Sequence, residues 1–232
     1  MIFRRHVLIG VKTNTTPVIP NNTIVYKASA KLPQTTSSSA NGIKTNKFYG
    51  GNDNQLSITS HTFSNGEGIV VFNGDIVELH GYAFQSCTGL ISVTFPNSLT
   101  TVDSGIFRNC TALTNISIPD SVTSMGNYVF SGCSKLKTVK LSNNITYIGS
   151  TTFSYCTVLE NITIPEGVTS IGSSAFSNCK GLTEITIPSS VTSLETNAFT
   201  GCSNIINVNI KSNTVASKTY TSSSNLHHIF GT

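Results

Sequence analysis

The chain has 232 residues and a formal net charge of +4, and only 10% of its residues are charged. No run approaches the ~20 consecutive apolar residues of a membrane-spanning helix. The basic residues are scattered instead of gathered on one element, which argues against a nucleic-acid or anionic-lipid surface.

Charge is uneven along the chain. Residues 1–60 hold Arg4, Arg5, Lys12, Lys27, Lys31, Lys44 and Lys47 against Asp53 alone, giving +6, and the remainder carries −2. Residues 1–20 read as a leader or an edge strand (Val7, Ile9, Val11) ending in Pro17 and Pro20. Only about five apolar residues precede Lys12, short of the ~7–15 of a secretory signal, so no conventional signal peptide is expected there. Ile24-Val25-Tyr26 and Leu56-Ser57-Ile58 read as short strands. Between them Pro33, Thr35–Ala40, Gly42 and Gly50-Gly51-Asn52 read as loop. Residues 1–68 are expected to form a small β-rich cap or attachment segment, and residues 69–232 a second unit built of repeats.

That unit starts in degenerate form. Val70 and Phe72 stand 23 residues before Val93 and Phe95, and Ile76 and Leu79 stand 23 before Leu99 and Val102, although His61 and Ser64 fill the Phe and Cys positions. From there the period is strict. Six cysteines (87, 110, 133, 156, 179, 202) recur every 23 residues, and a phenylalanine (84, 107, 130, 153, 176, 199) precedes each by three. A fixed period of this length signals a solenoid whose coils bury their apolar faces only against one another. Within one coil, Ile162-Thr163-Ile164 alternates apolar and polar like a half-buried strand, and Pro165 ends it. Val168-Thr169-Ser170-Ile171 forms a second extended piece and Gly172 turns the chain.

The pattern Leu-x-x-Ile-x-Ile-Pro-x-x-Val-Thr-x-Ile-Gly-x-x-Ala-Phe-x-x-Cys, clearest at 159–179 and 182–202, resembles the 23-residue leucine-rich repeat of the BspA-like surface protein family. Departures include Ser142 for proline, Asp103 and Glu195 for glycine, and Ile106, Val129 and Thr152 for alanine. The resemblance implies a mainly β, right-handed leucine-rich-repeat solenoid with a parallel strand ladder. It also implies a surface-exposed or secreted, non-enzymatic protein serving adhesion or host-protein contact at a bacterial surface. The alternative is a structural spacer or assembly component, such as a stalk or a phage tail part.

Candidate chemistry is sparse. The cysteines repeat a core position and include no Cys-x-x-Cys pair, so buried free thiols are expected in preference to disulfides or a metal site. Apart from His61 in the degenerate first copy, the histidines (His6, His80, His227 and His228) occupy no repeated position, and His80 with Asp75 and Glu78 reads as a solvated turn. No nucleophile stands apart from the repeat, so catalysis and a cofactor are not expected. The candidate ligand-binding residues lie on the outward, concave side of the strand ladder: Ser92, Thr94, Asn115, Ser117, Thr138, Lys140, Asn161, Thr163, Glu184, Thr186, Asn207 and Asn209. They suit a protein or glycan partner. Lys137 is expected to pair with Glu160 one coil on. A seventh rung is expected to start at Leu226. Its open edge implies either a fragment of a longer protein or an end-to-end contact through Leu226–Phe230.

Overall fold

The computed structural model describes residues 19–35, 43–44, 47–49 and 54–216. Expectations for Val7–Val11, His6, His227-His228 and the rung at Leu226 lie outside these residues. The strands of the N-terminal part are β1 (Thr23–Ala28), β2 (Gln34–Thr35), β3 (Ile43–Lys44), β4 (Phe48–Tyr49), β5 (Ile58–Ser64) and β6 (Glu67–Phe72). Then follow β7 (Glu78–Leu79), β8 (Leu90–Thr94), β9 (Thr101–Val102), β10 (Asn115–Ser117), β11 (Ser124–Met125) and β12 (Thr138–Lys140). The last are β13 (Tyr147–Ile148), β14 (Ser170–Ile171), β15 (Glu184–Ile187), β16 (Ser193–Leu194), β17 (Asn207–Ile210) and the single helical turn α1 (Asn213–Ala216).

β5 and β6 make an antiparallel hairpin turned by Asn65-Gly66, with φ of 53° and 78°. Positive φ at both positions matches the right-handed twist of the strands, and Asn-Gly accepts it at least cost. β1 lies antiparallel to β6, with Thr23 opposite Val71 and Lys27 opposite Glu67. Its Tyr26 ring occupies the space above Gly68, where a Cβ would stand 2.0 Å from the ring. The other edge of β1 pairs antiparallel with β8. Val70 and Phe72 are therefore buried as expected, but β6 does not stack on β8: β1 is inserted between them. The 23-residue correspondence does hold for β7, which pairs in parallel with β9, Leu79 opposite Val102. The first coil is thus half repeat and half antiparallel cap.

Each later coil has three sides. The long strands β8, β10, β12, β15 and β17 mark one, and the two-residue strands β7, β9, β11, β13, β14 and β16 mark the second. Most pair in parallel one repeat apart, as in Asn115↔Thr138, Glu184↔Asn207 and Ile148↔Ile171; β8 pairs instead with β1, and the next coil meets it through the Thr114 N–H donating to Ile91 O at 3.0 Å. The third side carries the Phe and Cys positions and is held by irregular main-chain bonds running forward to the next coil. Phe84, Phe107, Phe130, Phe153 and Phe176 donate N–H to the carbonyls of Ile106, Val129, Thr152, Ala175 and Ala198 at 2.7–2.9 Å. Two positions per coil on this side are left-handed, one run being Tyr82, Gly105, Tyr128, Thr151, Ser174 and Asn197 with φ of 55–67°.

The core follows directly from the period. The rings of Phe84, Phe107, Phe130, Phe153, Phe176 and Phe199 stack in a column with centroids 5.0–5.5 Å apart. The column continues into the cap through Phe48, edge-on to Phe84 at 5.7 Å. All six cysteines are buried and none forms a disulfide. Sγ of Cys110, Cys133, Cys156, Cys179 and Cys202 each donates to the carbonyl of the Phe 26 residues earlier, at 3.0–3.2 Å. Burial pushes the Cys133 thiol up to about 12 and those of Cys156 and Cys179 well above the ordinary range, so they remain protonated donors.

Candidate functional site

The long strands set their outward side chains in register. Asn115, Thr138 and Asn161 form one row across adjacent coils, and Ser117 and Lys140 form a second. Glu184–Asn207 and Thr186–Asn209 continue these rows farther along. Alternation explains the placement: Ile116 and Ile185 point inward and are buried, so their neighbours must point out. Asn115, Ser117, Thr138, Lys140, Asn161, Thr163, Glu184, Thr186, Asn207 and Asn209 are exposed. Ser92 and Thr94 are half-buried because β1 pairs alongside β8.

Ion pairs decorate the same coils. Lys137 Nζ and Glu160 Oε1 stand 3.1 Å apart, the expected pair, and both are more than half exposed. Lys140 reaches Asp120 at 3.4 Å. The Asn143 N–H, donating to Asp120 at 3.0 Å, does most to hold that carboxyl below the usual range, with Lys140 assisting.

The ladder is not continuous. Ile162-Thr163-Ile164, the segment whose alternation reads most plainly as a strand, is not one. It touches the preceding coil through a single bridge, Thr138↔Asn161, and among the described residues no main-chain hydrogen bond joins it to β15. Part of the reason is Pro188, which has no N–H to give to Ile164; one coil on, Lys211 donates its N–H to Ile187 O at 2.9 Å. The second side also parts, between β11 and β13. There Ser142, which stands for proline, donates to Val122 O at 2.6 Å, and the Asn144 amide donates to Asp120 O at 2.6 Å. Side chains hold the coils together where the ladder does not.

A cavity of about 560 Å³ opens over the interruption on the long-strand side. Thr138 and Val139 line one flank, Asn161 to Ile164 the floor, and Glu184, Ile185 and Thr186 the other flank. Glu166 and Lys211 stand at its rim, 3.6 Å from one another. The candidate residues Thr138, Asn161, Thr163, Glu184 and Thr186 thus meet at one place, whereas Asn115, Ser117 and Lys140 form a separate flat patch. Sequence reasoning missed Glu166 and Lys211; the signal was Lys211 at a position held by proline two coils running.

The described histidines, His61 and His80, make local contacts. His80 Nε2 bonds Glu78 Oε2 at 2.9 Å while its ring stacks on Tyr49, and Asp75 accepts from Asn21. His61 Nε2 lies 2.8 Å from the Tyr26 hydroxyl, and its Nδ1 lies 3.0 Å from Gln34. Burial, and Lys31 to a lesser degree, lower the pKa of His61. Among the described residues no cluster of three or more His, Cys, Asp or Glu could hold a metal, and no helix is long and apolar enough to cross a membrane.

Residues 56–166 and 148–231 match the BspA type leucine rich repeat region, in six copies. No match was found among curated proteins. Among solved structures, a leucine-rich repeat protein from Bacteroides ovatus is 30% identical over 66% of this chain and 39% of its own, with a TM-score of 0.48. A leucine rich repeat protein of T. pallidum is 24% identical over 58% of this chain and 75% of its own, at 0.51, a likeness of fold. A leucine rich cell surface protein from Faecalibacterium prausnitzii is 26% identical over 67% of this chain and 47% of its own, at 0.44. The chain thus spans less than half of the first and third of these proteins.

Proposed function

The chain belongs to the BspA-type leucine-rich repeat family, and from that premise we propose a non-enzymatic binding module that engages a protein or glycan at a bacterial surface. The observation that carries this reading is the registered array of exposed side chains on the long strands, Asn115–Thr138–Asn161 beside Ser117–Lys140. The apolar slots already fix the fold, so these outward positions are free to serve recognition. Hydroxyls, amides and one ammonium at regular spacing suit hydrogen bonding to an extended partner. Adhesion or host-protein contact is the finer form of the same proposal, and it follows from the family resemblance.

The test is binding of the purified chain to panels of extracellular-matrix proteins and glycans. A variant with Asn115, Ser117, Thr138, Lys140 and Thr163 changed to Ala is run alongside, with circular dichroism confirming its fold. A ligand lost by the variant supports the proposal. Retained binding, or no ligand in either panel, overturns it and leaves the solenoid as a spacer.

A further inference from the structure

We infer that the interruption beside β15 is a docking slot for one extended segment of a partner polypeptide, added as a strand against the open edge of β15. This deepens the proposed function and rests on it. The argument starts from which main-chain groups are left over. In a parallel ladder each residue directs its N–H and C=O to the same side, and successive residues alternate sides. Asn207 donates to Thr183 O at 3.3 Å and Lys211 to Ile187 O at 2.9 Å, so odd-numbered residues of β15 face β17. Glu184 and Thr186 therefore direct their main-chain groups the other way, into the cavity. Where the preceding coil would meet them stands Ile162-Thr163-Ile164, which forms no ladder.

An interior edge with two residues' worth of unused donors and acceptors is a template for another strand. Three features select a polypeptide over a sugar. The unused groups repeat at two-residue spacing, about 6.8 Å, which is the main-chain repeat of an extended peptide. The slot holds half-buried apolar side chains, Val139 and Ile162, positioned to receive every second side chain of such a peptide. The cavity, about 560 Å³, falls within the range of roughly 300–1,000 Å³ typical of ligand sites. Charge narrows the sequence further. Glu166 is engaged by Lys211, whereas Glu184 is exposed and has no ion-pair partner among the described residues. A lysine or arginine at an outward position of the peptide would meet it.

The experiment has two arms on the full chain. In the first, amide hydrogen exchange is followed without any ligand. Glu184 and Thr186 amides are expected to exchange at least tenfold faster than those of Ile185 and Ile187, which face β17. Equal protection would mean that the ladder is closed, and the slot would not exist. In the second arm the probes are acetylated octapeptides that alternate Val, Ile or Tyr with Lys or Thr. A binding peptide should slow exchange at Glu184 and Thr186, lose binding when alternate amides are N-methylated, and weaken severalfold against Glu184→Gln. Absence of a binder, or protection elsewhere on the molecule, overturns the slot. A matrix or glycan ligand that depends on Asn115, Ser117 and Lys140 and leaves these two amides unchanged would keep the proposed function and remove this inference.

Discussion

The Phe–Cys side of the solenoid runs unbroken from Phe84 to Phe199, whereas the long-strand side parts between β8 and β10 and again after Asn161. Both are built from the same period, and both are joined by main-chain bonds between coils. The difference lies in what else joins them. On the Phe–Cys side each coil adds a ring to the aromatic column and a thiol to the preceding Phe carbonyl. On the long-strand side main-chain bonds and exposed ion pairs such as Lys137–Glu160 join adjacent coils, and neither replaces the N–H lost at Pro188. Continuity follows side-chain redundancy, and an opening is left on the side that carries the candidate residues.

The largest effect should come from breaking the continuous side at its middle. Phe153 is fully buried between Phe130 and Phe176 at 5.3 and 5.2 Å. Phe153→Ala should cost about 3–5 kcal/mol, because close-packed neighbours on both sides cannot collapse into the space. Urea unfolding measures this, and a loss below about 1 kcal/mol would show that the column is not what unites the coils.

The thiol ladder should matter less. Cys156→Ala removes one sulfur and its bond to Phe130 O, an expected loss of about 1–2 kcal/mol. In the wild-type chain Cys133, Cys156 and Cys179 should also resist a disulfide-exchange reagent at pH 8, since burial holds these thiols protonated. These three thiols should react only after denaturation. Rapid modification of the native protein would contradict the buried ladder.

The continuous side was legible in the sequence because it is made of side chains. A residue that must be Phe every 23 positions leaves a mark that survives substitutions at Ile106, Val129 and Thr152. The interruption was not legible, because Ile162 and Ile164 carry the same residues as intact neighbours. What differs is main-chain pairing, to which the slot pattern is blind. Ser142 and Lys211, two departures at the proline position, were the available hints. The insertion of β1 between β6 and β8 was hidden for another reason: antiparallel partners are chosen by tertiary packing, here Tyr26 over Gly68, and not by period. Asn65-Gly66 was the available signal for the hairpin, and sequence reasoning passed over it. The outward polar residues were readable as a face, but the cavity that gathers part of them was not.

A gain of stability tests the continuous side from the opposite direction. Thr151 has φ of 59°, a left-handed position filled elsewhere by Gly105, Asn197 and other residues that are not β-branched. The left-handed region costs a side-chain-bearing residue about 1–2 kcal/mol, partly offset by the greater freedom glycine loses on folding, ~0.5–1 kcal/mol. Thr151→Gly should therefore stabilise the chain by about 0.5–1 kcal/mol. The main-chain bond from Thr151 N–H to Ser173 O, 2.9 Å, is kept. Destabilisation would mean that the Thr151 side chain contributes more than its backbone strain costs.

The smallest effect separates the cap from the repeats. The cap relies on a local polar network, and His61 is its titratable member. Tyr26, Gln34 and Lys31 face it: the hydroxyl at Nε2, the amide at Nδ1, and Nζ donating to the His61 carbonyl at 2.9 Å. Burial and Lys31 disfavour the imidazolium, so the folded pKa lies below the ordinary 6.5. As pH falls, the unfolded chain binds the proton first. The stability His61 contributes is thus fully present above its unfolded pKa and is lost as pH drops through 6.5 toward the folded value. Melting temperature should decline between about pH 7.5 and 5 by more in the wild-type chain than in His61→Gln. His61 belongs to β5 and its partners to β1, β2 and the loop between them, so amide exchange should place the acid-induced opening in β1 and β5 while the aromatic column stays protected. Opening that begins in the column would show that cap and repeats unfold as one unit and that their different construction makes no difference to stability.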